Sequence, residues 1–129
     1  AYTAVDKAES KASLAMAING VAPGVIAEEA LKVGAAIIHY STDYVFDGKN
    51  NTPYIESDKP DPQNAYGKTK LAGEQAIQAV GAPHLILRTS WVYGFFGKNF
   101  LLTMLKLARE REKIRVVDDQ IGAPTRGAV

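Results

Sequence analysis

Residues 35–41, "AAIIHYS", form a short apolar run that starts just after Gly34 and closes into the polar "STD" at 41–43. A run this short, apolar at successive rather than alternate positions, reads as a strand covered on both faces, the habit of a parallel sheet. Helices flank it in the pattern. "VDKAESKASLAMAIN" (5–19) carries helix formers with Leu14, Met16 and Ile18 as its apolar stripe. "GVAPG" (20–24) should interrupt that helix, because Pro23 lacks a backbone donor and glycine is conformationally free. Pro23 also suits the first turn of a second helix, which Gly34 ends. After the strand, residues 42–63 read as a polar loop with three prolines, and Asn64 caps a helix running to Val80. That helix should carry Leu71, Ala72, Gln75 and Ile77 alongside Tyr66 and Lys70. "HLILRTS" (84–90) is a second buried strand, "FGKNFLLTMLKLARERE" (96–112) an amphipathic helix, and "KIRVVDD" (113–119) a third strand. Alternating helices and apolar strands predict an α/β fold with a doubly wound parallel sheet.

Composition narrows the function classes. A chain of 129 residues that is 47% hydrophobic and 22% charged is a one-domain globular chain by size. A net charge of +1 supplies no long-range field for nucleic acid or a membrane. The basic stretch "KLAREREKIR" (106–115) alternates in sign, as a solvated helix face does. No segment reads as approaching the ~20 apolar residues of a membrane span. Cys count 0 excludes disulfides and thiolate metal sites and fits a cytoplasmic setting. His39 lies inside the apolar run and His84 follows a proline, so neither is placed for a metal or a Ser–His pair, and no metal site is expected.

"PQNAYGKTKLAGEQA" (62–76) places Tyr66 and Lys70 one helical turn apart on one face. A cation ~4 Å from a phenol, at an effective dielectric of ~20, attracts the phenolate by ~4 kcal/mol at most, roughly three pKa units. A tyrosine so placed would trade protons near neutral pH. The pair alone is common enough by chance to be weak evidence, and the strand ends add the rest. Ligands of an open parallel sheet gather outside the carboxyl ends of its strands, where this sequence places "STDYVFDG" (41–48) and "RTSWVYG" (88–94).

"HYSTDYVFDG", "NAYGKTKLAGE", "LRTSWVYG" and "DDQIGAPT", in this order and spacing, resemble the dTDP-4-dehydrorhamnose reductases of the extended short-chain dehydrogenase/reductase family. The likeness runs from "AYTAVDKAE" to "GAPT". It implies a portion of a doubly wound Rossmann fold, residues 1–129 being the central-to-C-terminal part of an NAD(P)-binding domain with no second complete domain. The chain opens without a strand and contains no glycine-rich phosphate fingerprint. It is therefore read as an internal piece of a longer protein, lacking the N-terminal glycine-rich βα unit and most of the substrate lobe.

The resemblance implies reduction of a ketone on a nucleotide-linked deoxy sugar by NADPH (or NADH), in a parent protein that is a cytoplasmic homodimer with no nucleic-acid or membrane partner. Thr42, Tyr66 and Lys70 take the catalytic positions. Ala1, Tyr2 and Thr3, with Tyr66 and Lys70, match the cofactor bed. Thr42, Asp43, Tyr44 and Trp91 match substrate contacts, and Mg2+ in the parent would be held by residues outside this chain. Read without the resemblance, Thr42 is a strand-end cap, Asp43 an Asx-turn residue, Asn19 an ordinary helical asparagine and Trp91 core. Two other readings share the fold: an extended-family epimerase or dehydratase, and a non-catalytic regulatory subunit such as that of methionine adenosyltransferase. "RTSWVYG" speaks against the first, and Thr42, Tyr66, Lys70 and Trp91 together against the second. Ile121 and the ending "TRGAV" carry no reading.

Overall fold

A computed structural model describes residues 1–127, so Ala128 and Val129 of the "TRGAV" ending lie outside the described residues. The chain divides into two compact units, Ala1–Arg88 and Thr89–Val129. The first unit opens with α1 (Val5–Ser10) and α2 (Ala12–Met16), joined at Lys11. The expected break at "GVAPG" is absent: a π-helical turn, Ala17–Val21, carries the chain directly into α3 (Ala22–Lys32). Pro23 sits in the first turn of α3, where the missing N–H would be unpaired anyway. Gly34 follows the helix at φ +68, as expected of a residue that ends one.

The buried stripe of this helical run differs from the expected one. Leu14, Met16 and Ile18 are exposed, whereas Ala15, Asn19, Gly20, Pro23, Gly24 and Ala27 are buried. Small residues win because they let this run and α4 (Ala65–Val80) approach closely. Gly20 faces Ala72, Gly24 faces Ala76, and a Cβ added at Gly73 would strike the carbonyl oxygen of Asn19. A backbone atom inside a helix cannot swing aside. Gly73→Ala should therefore cost about 1–3 kcal/mol, the range of overpacked cores, read as a lowered denaturation midpoint; an unchanged midpoint would contradict this packing. Residues Ala12–Lys32 form one helical run of 21 residues with hydropathy 1.3, long and apolar enough for a membrane span by length and composition. This corrects the expectation that no such segment exists, the helix continuing through "GVAPG".

α4 begins and ends as read: the Asn64 side chain accepts from the Gly67 amide at 2.7 Å, and Gly81 closes the helix at φ +74. Its buried residues are largely polar or small (Gly67, Thr69, Lys70, Gly73, Glu74 and Ile77), and Gln75 is exposed rather than on that face. β1 (Ile37–Thr42) packs against α4. β2 (His84–Tyr93) leaves the first unit at Arg88, and the hydrogen-bonded strand order is β1–β2–β3.

In the second unit, the third strand is β3 (Pro124–Arg126), parallel to β2 with Ser90 opposite Pro124 and Tyr93 opposite Arg126. The stretch 113–119 is not a strand. Val116 and Val117 remain exposed there, while the ladder of β2 is taken by 124–126, with the Ser90 hydroxyl donating to the Ala123 carbonyl at 2.9 Å. A strand that starts on proline gives up one ladder donor, which its first position tolerates. α5 (Phe100–Glu110) follows its cap Asn99, whose side chain accepts from the Leu102 amide at 2.9 Å.

Candidate active site

The carboxyl end of β1 runs straight into a 3-10 turn, Asp43–Val45, opposite the first two turns of α4. Gly67 makes this approach possible: a Cβ there would strike the Tyr44 carbonyl. Thr42, 5% exposed, uses its hydroxyl three ways. It accepts from the Tyr44 amide at 3.2 Å, donates to Asp43 Oδ1 at 3.1 Å, and acts on the Tyr66 phenol to lower its pKa. The cap role read from sequence alone is met: the Thr42 side chain accepts from the Tyr44 amide at the start of the turn. Tyr44 meets the Tyr66 ring edge-on, centroids 5.8 Å apart at 80°. Thr42, Asp43, Tyr44 and Tyr66 form one cluster.

Lys70 lies one turn further along α4, with a relative exposure of 3%. Its Nζ donates to the Tyr40 carbonyl at 2.7 Å and stands 3.3 Å from His39 Nε2. Burial pushes the Lys70 pKa below its ordinary value, and Glu74 one turn beyond opposes that shift. The Tyr66 phenol is pushed up rather than down: burial raises it first, its hydrogen bond with Thr42 lowers it, and Asp43 and Tyr44 raise it further. The expected cation-lowered phenol is therefore not met here. The ammonium of Lys70 is engaged by the β1 carbonyl and the imidazole, and desolvation governs the phenol.

The segment 1–3 is held at the same corner. Asn19, 1% exposed, donates to the Tyr2 carbonyl at 2.9 Å and accepts from the Tyr2 amide at 2.8 Å. Its Nδ2 also donates to Thr69 Oγ1 at 3.3 Å. Both backbone polar groups of Tyr2 are thereby clipped to α4 beside Lys70. A cleft of about 320 Å³ opens among Ala1, Asn19, His39, Tyr40 and Lys70. An ammonium with one donor left over, a protonated phenol and a clipped segment 1–3 suit the ribose end of a dinucleotide.

Behind this corner sits a charged network. Glu74, 1% exposed, accepts from Arg88 Nε at 3.1 and 3.2 Å and from Arg88 Nη2 at 2.6 Å. The Ser41 hydroxyl donates to Glu74 Oε1. The Arg88 guanidinium covers the Phe46 ring at 4.9 Å, and Phe46 stacks on Tyr54 at 4.2 Å and 6°. Tyr54 in turn donates to Asp47 Oδ1 at 2.7 Å. The loop after β1 is thus tied to α4 and β2. Sequence reasoning passed over Ser41, His39, Glu74 and Arg88, although Tyr66, Lys70 and Glu74 form a readable i, i+4, i+8 stripe.

Trp91 belongs to the second unit. Its φ of +46 is the left-handed region that non-glycine residues rarely adopt, and it coincides with a register shift between Ser90 and Tyr93. Its ring meets Phe100 edge-on at 4.9 Å and 87°, and a Cβ at Gly122 would strike the indole. Among the described residues, no group of three or more His, Asp or Glu is placed to hold a metal ion.

The chain matches the RmlD substrate binding domain family over residues 1–129. It is 57% identical over 125 residues to the dTDP-4-dehydrorhamnose reductases of Shigella flexneri and of Escherichia coli K12, covering 97% of this chain and 42% of theirs. A solved dTDP-4-dehydrorhamnose reductase from Bacillus anthracis, in complex with NADP, superposes with a TM-score of 0.94 at 47% identity, over 98% of this chain and 45% of that one. A second, from Clostridium acetobutylicum, gives 0.94 at 48% identity over 98% of this chain and 45% of that one. The chain spans less than half the length of these relatives and shares the α/β, Rossmann-like, parallel-sheet fold of the matching region. With the family matched along the whole sequence, the chain belongs to the RmlD substrate binding domain family, the family of the dTDP-4-dehydrorhamnose reductases.

Proposed function

We propose that the protein carrying this chain reduces the C4 ketone of dTDP-4-dehydro-L-rhamnose to dTDP-L-rhamnose, using NADPH, as a cytoplasmic homodimer. One observation carries the reading: the Thr42 hydroxyl and the Tyr66 phenol lie in one cluster at the end of β1, where Thr42 acts to lower the phenol's pKa, with the buried Lys70 one turn behind. The names of the relatives and the NADP bound to one of them support the substrate and cofactor. The reduced nicotinamide supplies the hydride. Tyr66 Oη gives its proton to the substrate oxygen as negative charge develops there, and the Thr42 hydroxyl, on turning its one proton away from Asp43 Oδ1, donates to the same oxygen. A phenol held above its ordinary pKa reaches the reaction protonated, which is the state a reduction needs. Lys70 offers its remaining N–H to the cofactor ribose. Ala1, Tyr2 and Thr3 lie along the cofactor, held by Asn19.

Asp43 and Tyr44 line the sugar-nucleotide side beside Thr42. Trp91, in the second unit, is proposed as a sugar-nucleotide contact on the resemblance of "RTSWVYG" alone; within that unit its φ of +46 is of the kind retained where a side chain must point one way. Lys70→Ala in the full-length protein separates the cofactor role from a purely chemical one. NADPH affinity, read by calorimetry, should fall about tenfold, the scale of a lost hydrogen bond from a charged group, together with the rate. A fallen rate with an unchanged NADPH titration would remove the ribose contact from this reading.

A further inference from the structure

We propose that His39 is a positioning residue for Lys70: its Nε2 lone pair and the Tyr40 carbonyl together aim the ammonium, leaving one N–H for the cofactor. The proposal rests on the assignment of Lys70 to the cofactor, but its geometry is independent of the substrate. A lysine ammonium has three donors and no acceptor. Two directions are occupied, one by the Tyr40 carbonyl at 2.7 Å and one by His39 Nε2 at 3.3 Å. An ammonium so placed requires a bare Nε2, hence a neutral imidazole with its proton on Nδ1. Without the second acceptor, the ammonium would swing about a single bond to Tyr40.

The surroundings hold the imidazole neutral. Burial lowers the His39 pKa first, Lys70 lowers it further, Glu74 raises it and the Ala1 amino group lowers it. From α4 the imidazole faces Lys70 and Glu74, and Glu74 is itself bonded to Arg88 of β2. The helical run brings Ile18, Asn19 and Ile26 to the same cleft, none of them charged. Protonation would set an imidazolium against an ammonium at 3.3 Å. Because folding disfavours the imidazolium, the neutral arrangement is complete above the ordinary histidine pKa of ~6.5. It is lost as the pH falls through the depressed value.

The test uses the full-length protein with His39→Leu and His39→Gln, whose amide oxygen replaces the acceptor. Long-range proton–nitrogen NMR identifies the His39 tautomer as the signal missing from both variants. The expected results are an Nδ1–H tautomer and an NADPH affinity about tenfold weaker in His39→Leu. His39→Gln should recover most of that affinity, and NADPH affinity in the native protein should weaken on the acid side while that of His39→Gln does not. An Nε2–H tautomer, equal damage in both variants, or unchanged affinity and pH profile in His39→Leu would each overturn the proposal. If His39→Leu does not fold, the tautomer and the His39→Gln pH profile decide alone. A protein that shows these effects yet leaves the sugar nucleotide unreduced would refute the proposed substrate and keep the role of His39.

Discussion

In the full-length protein, Tyr66→Phe should lower turnover of the proposed reduction by about 10²-fold or more, the usual worth of a positioned general acid, while NADPH affinity stays near that of the native protein. The ring is kept, so its edge-on contact with Tyr44 and its place on α4 survive. What is lost is the phenolic proton that Tyr66 is proposed to give to the substrate oxygen. The phenol's raised pKa makes that proton available across the neutral range, so the native rate should hold there and not fall at mildly alkaline pH through loss of the acid. Steady-state kinetics with the sugar nucleotide, paired with an NADPH titration, checks both halves. Undiminished turnover in the variant would move the acid to another residue, and weakened NADPH binding alone would leave Tyr66 a cofactor contact only.

Glu74→Leu is the variant with the largest expected loss of stability, about 3–5 kcal/mol, because it strands a partly buried guanidinium without its counter-charge. Arg88 is held by both Glu74 oxygens and its side chain is 23% exposed, so water relieves only part of the loss. The Ser41 hydroxyl loses its acceptor as well. Glu74→Leu combined with Arg88→Met should recover most of the stability, since a buried ion pair replaced by apolar groups of similar size is often near neutral. Denaturant unfolding of the two variants measures this directly. A single-variant loss below about 1 kcal/mol would place the pair among surface bridges of little consequence. The removed carboxylate also supported the Lys70 cation, so any surviving activity of the single variant should fail at a lower pH on the alkaline side.

Much of the scaffold was legible because its signals are local. The Asn64 cap, the αL glycines at 34 and 81, and the apolar runs of β1 and β2 each state their structure within a few residues. The readings that failed depend on partners distant in sequence. "GVAPG" looks like a break by propensity, yet the small residues that weaken a helix locally are what let it lie against α4 around Gly73. "KIRVVDD" has strand composition, but pairing with β2 was taken by Pro124–Arg126, a stretch hidden by its proline and by the flanking Gly122 and Gly127. The site shows the same division. Tyr66 and Lys70 share a helix face, as their spacing says, although the ammonium is taken by Tyr40 and His39. His39 and Arg88 reach α4 only across β1 and β2, so no sequence spacing reports them. Which way the Tyr66 pKa moves likewise depends on burial, and burial is a property of the packed unit.

The central claim is the reaction itself, and one assay reaches it most directly. The full-length protein, incubated with NADPH and dTDP-4-dehydro-L-rhamnose, should consume NADPH in equal amount to the dTDP-L-rhamnose that appears, both followed in one sample by absorbance and anion-exchange chromatography. Stoichiometric conversion, abolished by leaving out either reactant, is the predicted result. Intact NADPH beside an unchanged or merely epimerised sugar nucleotide, from a folded protein that binds both, would contradict it.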